Sequence, residues 1–90
     1  QVTLLRATAG LQAQLLGEEH PRTLRSLVSL AAALLTAGGA ARAAEAAALA
    51  FKCVAVQRLL LDPHHADIGS AEKTLRLATA VVADSDTALS

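Results

Sequence analysis

Histidine and aspartate side chains cluster at one point of the sequence, where Asp62, His64, His65 and Asp67 lie close together. Imidazole and carboxylate groups are common zinc ligands, and a histidine beside a carboxylate can transfer protons in catalysis. Ligands on one helix share a face only at a spacing of three or four residues, whereas adjacent histidines diverge. We therefore assign the cluster a structural role at a helix start. We predict no metal site, no cofactor and no catalytic residue, and so no enzyme activity.

Cys53 and the Gly38-Gly39 pair are the other residues with chemical potential. Cys53 shares a helical stripe with Leu49, Val56 and Leu60, where a thiol behaves as a small buried hydrophobe. The glycine pair joins two helical patterns without a preceding strand, which indicates a tight turn and not a phosphate loop.

The hydrophobic pattern predicts an all-α chain, because apolar residues recur at helical spacing and are mostly Ala, Leu and Val. Gly17, Pro21, Gly38-Gly39 and Asp62-Pro63 mark the predicted helix ends. The predicted helices span residues 2–16, 21–37, 40–61 and 66–83. Their expected buried residues are Leu4, Ala7, Leu11 and Leu15 in the first, Leu27, Leu30, Ala31 and Leu34 in the second, and Ile68, Ala71, Leu75, Ala78 and Val82 in the fourth.

The third predicted helix is apolar on two faces. One face carries Ala43, Ala47, Ala50 and Val54, and the other carries Leu49, Cys53, Val56 and Leu60. Two apolar faces predict two neighbours, as for a middle helix in a stacked array. The helix-capping residues of segment 84–87 predict the start of a further helix, and we expect the chain to be part of a longer one.

Composition excludes several classes of function. The 90 residues carry no net charge and no basic cluster, which argues against nucleic-acid binding. No apolar run reaches the ~20 residues of a membrane span. One cysteine and the lack of a signal-peptide pattern favour a cytoplasmic location, and no linker divides the single domain 1–90.

Two segments of the chain are similar, and each precedes a predicted helix. Residues 15–21 and 60–66 place His20 and His65 at equivalent positions, 45 residues apart, a period typical of two-helix solenoids. The segment 16–23, Leu-Gly-Glu-Glu-His-Pro-Arg-Thr, resembles the long tetratricopeptide repeat of kinesin light chains. Leu30-Ala31, Gly38 and Ala43 continue the family pattern, whereas Leu34 and Ala40 replace its usual tyrosines, and the second copy is degenerate.

The resemblance implies two antiparallel helix hairpins stacked as an α-solenoid. In that family the first helix of each hairpin lines a binding groove. Carried over to this chain, the pattern assigns six residues to the groove: Arg25, Val28, Ser29, Ala32, Leu35 and Thr36. Ser29 and Thr74 stand where the family has an asparagine that holds a peptide backbone. An apolar helix, or an extended peptide with an acidic residue, would suit this surface.

Protein–protein interaction is therefore the predicted function, with another protein or peptide and adjacent repeats of the same chain as partners. Two alternatives remain open. One is a non-catalytic helical subdomain of an enzyme, because similar hairpins occur in SET–MYND lysine methyltransferases. The other is a homo-oligomeric bundle in which the alanine-rich third helix packs on its own copy.

Overall fold

A computed structural model describes the backbone of residues 2–89 and the side chains of residues 2–84. It contains four helices: α1 (Val2–Leu16), α2 (Pro21–Ala37), α3 (Ala40–Leu60) and α4 (Ala66–Leu89). The described chain has no strand, so the all-α prediction is confirmed. The helices begin and end within one residue of the predicted limits except at the end of α4.

The prediction of a further helix starting at segment 84–87 is wrong, because α4 continues through that segment to Leu89. Asp, Ser and Thr favour helix starts but do not end a helix by themselves. Their backbone N–H groups can still donate to the carbonyl groups of the preceding helical turn. Neither Gly nor Pro follows Ala66 in α4 except Gly69 near its start. The helix therefore meets no stop signal.

Glycines with positive φ end the first two helices. Gly17 (φ 101°) donates its N–H to the Ala13 carbonyl at 3.1 Å, and Gly38 (φ 87°) donates to Leu34 at 3.2 Å. Side chains with a Cβ rarely adopt such φ values. The hydroxyl of Thr23 donates to the Gly17 carbonyl at 2.8 Å, which ties the first loop to α2.

The predicted buried stripe of α1 faces outward. Leu4, Ala7, Leu11 and Leu15 are all exposed, and Leu15 reaches 73%. The buried residue of α1 is Ala9, while Val2 and Leu5 pack on the neighbouring core. Since the backbone of α1 lies close only to α2 among the described helices, α1 can bury one stripe, and its sequence offers two.

Two clusters of buried residues form the core, and α3 contributes to both. The first consists of Leu30, Ala31, Leu34, Ala46 and Ala78. The second consists of Leu24, Cys53, Val54 and Ala71. As its two apolar faces predicted, α3 packs against both α2 and α4, but Leu60 is 55% exposed and lies outside the core. Alanine at many contacts lets the helices approach closely.

The packing order places α2 and α4 in contact across α3, while α1 reaches α3 only through its side chains. Loops 17–20, 38–39 and 61–65 are short, which makes successive helices antiparallel neighbours. The molecule measures 42 × 29 × 15 Å. The smallest dimension matches two layers of helices with axes ~8–10 Å apart.

Candidate functional site

Four of the six residues predicted for a groove line a single cavity of about 300 Å³. They are Arg25, Val28, Ser29 and Ala32 on the outer face of α2. The remaining walls come from Gln57 on α3 and from Asp67 and Ser70 in the first turns of α4. We call this cavity, lined by these seven residues, the α2–α4 groove.

The other two predicted groove residues lie beyond the cavity. Leu35 packs against the core cluster that contains Leu34, and the exposed Thr36 donates its hydroxyl to the Ala32 carbonyl at 3.1 Å. The groove lies beside the first turns of α4. It therefore runs along the first three turns of α2 and does not reach the end of that helix.

An ion pair joins the two walls of the groove. Arg25 Nε lies 3.5 Å from Asp67 Oδ2, with the Arg25 side chain 59% exposed and that of Asp67 largely buried. A pair at this distance with one partner exposed contributes little to stability, about 0–1 kcal/mol. Arg25 therefore remains able to exchange Asp67 for another anion.

Gln57 is the one groove residue whose polar atoms are buried without partners. Its exposed fraction is 0%, and neither the amide nitrogen nor the amide oxygen has a hydrogen-bond partner within the described part of the chain. Leaving such a group unpaired costs ~1–3 kcal/mol, so buried amides normally have partners. Our prediction did not include Gln57, although the sequence indicates that it is buried. Gln57 follows Cys53 and Val54 by one helical turn and therefore lies on the same face of α3.

Two of the three histidines, His20 and His65, act as helix caps. His20 Nδ1 accepts a hydrogen bond from the Arg22 backbone N–H at 3.1 Å, and His65 Nδ1 accepts one from Asp67 N–H at 3.0 Å. Asp62 accepts the His64 N–H at 2.9 Å in the preceding loop. Residues 2–84 contain no group of three His, Cys, Asp or Glu side chains placed to hold a metal ion.

Cys53 lies fully buried and donates its S–H to the Leu24 carbonyl at 3.6 Å. Burial raises the pKa of its thiol to about 11, because the thiolate would lose its hydration there. A protonated, buried thiol is a poor nucleophile.

A second cavity, of about 230 Å³, lies where α1, α2 and α3 meet. Its apolar floor includes Ala9, Leu30 and Leu49. Charged side chains from different helices or loops pair around it, as Arg6 does with Glu45 and Lys52 with Glu18 at 3.6 Å. A hydrogen bond from Arg6 lowers the pKa of the Glu45 carboxyl. These pairs bridge α1 and its loop to α3.

No helix within the described residues combines the length and the hydropathy that crossing a membrane would require. Comparison of the chain with protein-family models, with curated proteins and with solved structures found no match. The geometry of the chain itself is therefore the basis for assigning a function.

Proposed function

We propose that the chain is a protein-binding module of a tetratricopeptide-like array, and that the α2–α4 groove takes an extended peptide with apolar and acidic residues. The observation that carries this proposal is a single cavity lined by Arg25, Val28, Ser29 and Ala32 of α2 together with residues of α3 and α4. The repeat pattern by itself predicts a common surface for these four residues of α2.

The packing order supports the array. If α2–α3 is one hairpin and α4 opens the next, the contact of α2 with α4 joins the first helices of successive hairpins. Stacked two-helix repeats bury a continuous core in this way and leave the first helices side by side along one surface. The matching caps at His20 and His65 mark the equivalent starts of these two helices.

The chemistry of the groove supports the choice of partner. Val28 and Ala32 offer apolar contact, while Ser29 and Ser70 offer hydroxyl groups. Arg25 supplies the positive charge, which favours a carboxylate on the ligand. A cavity of about 300 Å³ is at the lower end of ligand pockets and suits one or two side chains of a longer segment.

An array of random ten-residue peptides tests the proposal directly. Selected peptides should be enriched in acidic residues beside apolar ones, and titration should shift the backbone amide resonances of Arg25, Ser29 and Ser70. Shifts confined to α1 or to the second cavity would reject the groove. Absence of any selected peptide, together with a stable dimer in sedimentation, would favour the homo-oligomeric alternative.

A further inference from the structure

Gln57, whose side-chain amide is buried without a partner, lines the α2–α4 groove from α3, a helix that the repeat pattern did not assign to binding. A glutamine amide has two donors and one acceptor oxygen. A peptide bond offers the complementary N–H and C=O in a fixed relation. The amide of Gln57 therefore matches the backbone of an extended peptide and not merely its side chains.

We propose that Gln57 is the residue that holds the backbone of a bound peptide in the groove, with Arg25 binding a carboxylate of the same peptide. This inference rests on the proposed peptide-binding function. Ser29 and Thr74 occupy the positions where the resembled repeats carry a backbone-holding asparagine, and neither has an amide. Gln57 supplies that amide from α3 instead.

Access to Gln57 requires the groove to open, because both amide atoms are shielded from solvent. The Arg25–Asp67 ion pair joins the α2 and α4 walls of the same groove at 3.5 Å, and the Arg25 side chain is more than half exposed. A peptide carboxylate that takes Arg25 from Asp67 would remove this link between the two walls. Ligand charge and access to the backbone-binding amide are thereby coupled.

The alternative explanation of Gln57 is structural, in which an internal water satisfies the amide and the glutamine stabilises the fold. The two explanations differ in the effect of an apolar residue of similar size. If the amide is unpaired in the free protein, Gln57→Leu removes an uncompensated polar group and should raise the melting temperature. If water already pairs the amide, the same substitution should lower it.

The experiment compares wild type, Gln57→Leu and Gln12→Leu in melting and in titration with a peptide from the array. Gln12 is the matched control, because its side-chain oxygen accepts a hydrogen bond from the Ser26 hydroxyl and lies outside the groove. We expect Gln57→Leu to melt higher and to bind at least ~10-fold more weakly, since a lost backbone hydrogen bond leaves the ligand unpaired. Gln12→Leu should bind like wild type.

A second readout observes the amide itself. The chain contains four glutamines and no asparagine, so few side-chain NH₂ signals appear in an ¹⁵N-correlated spectrum. The signal that is missing from the spectrum of Gln57→Leu belongs to Gln57. The Gln57 signal should move on binding. A peptide N-methylated at the position that pairs with Gln57 should bind wild type more weakly than the unmethylated peptide does. The two peptides should bind Gln57→Leu with equal affinity.

Asp67→Asn tests the coupling, because it frees Arg25 and should strengthen binding of an acidic peptide several-fold. A Gln57→Leu protein that melts lower than wild type, or that binds the peptide equally well, would overturn the role of Gln57 and leave peptide binding intact. An array on which the wild-type protein selects nothing would instead remove the proposed function, and this inference with it.

Discussion

His20 and His65 make the same local hydrogen bond 45 residues apart in the sequence, each accepting the backbone N–H of the residue two positions later. Both bonds lie at the start of a helix, α2 or α4, whose first N–H groups have no partner within the helix. One local structure thus recurs at the period that the sequence repeat indicates. The relationship gives the imidazole a structural role at both positions, as the acceptor for a backbone N–H at a helix start.

Loss of either cap should destabilise the fold. His20→Ala or His65→Ala removes the acceptor for an otherwise unpaired N–H and should cost about 1 kcal/mol of unfolding free energy, as for other helix caps. Urea denaturation measures the change. His64→Ala is the matched control, because its backbone N–H and not its ring makes the hydrogen bond to Asp62, so it should stay within ~0.5 kcal/mol. Equal stability of all three variants would contradict the capping role.

Zinc should leave the melting temperature unchanged, and so should a chelator. A metal that binds the native state raises stability by RT ln(1 + [L]/Kd), so a site would be visible as an upward shift. The Nδ1 atoms of His20 and His65 already accept backbone N–H groups. An increase with zinc that disappears in His64→Ala or His65→Ala would reveal a metal site at the α3–α4 loop.

Leu30→Ala and Leu34→Ala should each destabilise the protein by ~2–5 kcal/mol, the range for truncating a buried leucine. Both side chains lie in the core cluster that joins α2 to α3 and α4. A small domain has only ~5–15 kcal/mol of stability, so cooperative melting should weaken or disappear. Calorimetry measures the loss.

Leu59→Ala controls for the chemical change alone, because this leucine is 85% exposed and should tolerate truncation within ~0.5 kcal/mol. Similar melting of wild type and both core variants would show that the α2 face is assigned wrongly.

The buried thiol predicts a loss of stability at alkaline pH. Burial raises the pKa of Cys53 from 9.0 to about 11, so the folded state favours the protonated form more than the unfolded state does. The stability that the protonated Cys53 thiol contributes is therefore fully present below about pH 9. It is lost as the pH rises towards about 11, because the unfolded state then ionises more readily than the folded state. Two pKa units correspond to roughly 2–3 kcal/mol.

Denaturation between pH 8 and pH 11 tests this dependence, and the absence of tyrosine removes one competing titration. The unfolding free energy of Cys53→Ala should fall less steeply with rising pH than that of wild type. The lysines contribute equally to the pH dependence of both proteins. In the wild type the thiol should react with a thiol reagent only at the rate of unfolding. Parallel pH curves for the two proteins would show that Cys53 ionises as an exposed thiol.

Arg25→Glu should weaken binding of an acidic peptide while helicity and melting stay nearly unchanged. The reversed charge would repel both the ligand carboxylate and Asp67, but Arg25 is exposed and its pair with Asp67 contributes at most ~1 kcal/mol to folding. Affinity is measured at two salt concentrations, because an exposed charge is screened over ~10 Å at 0.1 M salt. Arg76→Glu, an exposed reversal outside the groove lining, is the control. Equal affinity of the two variants would place the peptide elsewhere.

The helix limits and the two-faced character of α3 could be predicted from the sequence because they depend on local chemistry. Gly17 and Gly38 adopt positive φ, and Pro21 begins α2, at the positions that their backbone preferences favour. On α3, apolar residues on two faces predict that the helix packs against two neighbouring helices. The end of α4 was missed because capping residues permit a helix start without enforcing one.

Which apolar stripe of α1 is buried, and what surrounds Gln57, were decided by tertiary packing. The stripe of Leu4, Leu11 and Leu15 is as regular as any in the chain, yet α1 turns Ala9 towards α2 and leaves those leucines exposed. Periodicity reports that a face is apolar, and only the position of a neighbouring helix determines whether that face is covered. The α2–α4 groove likewise needs three helices to assemble around Gln57, a relation between distant segments that spacing along the chain does not contain.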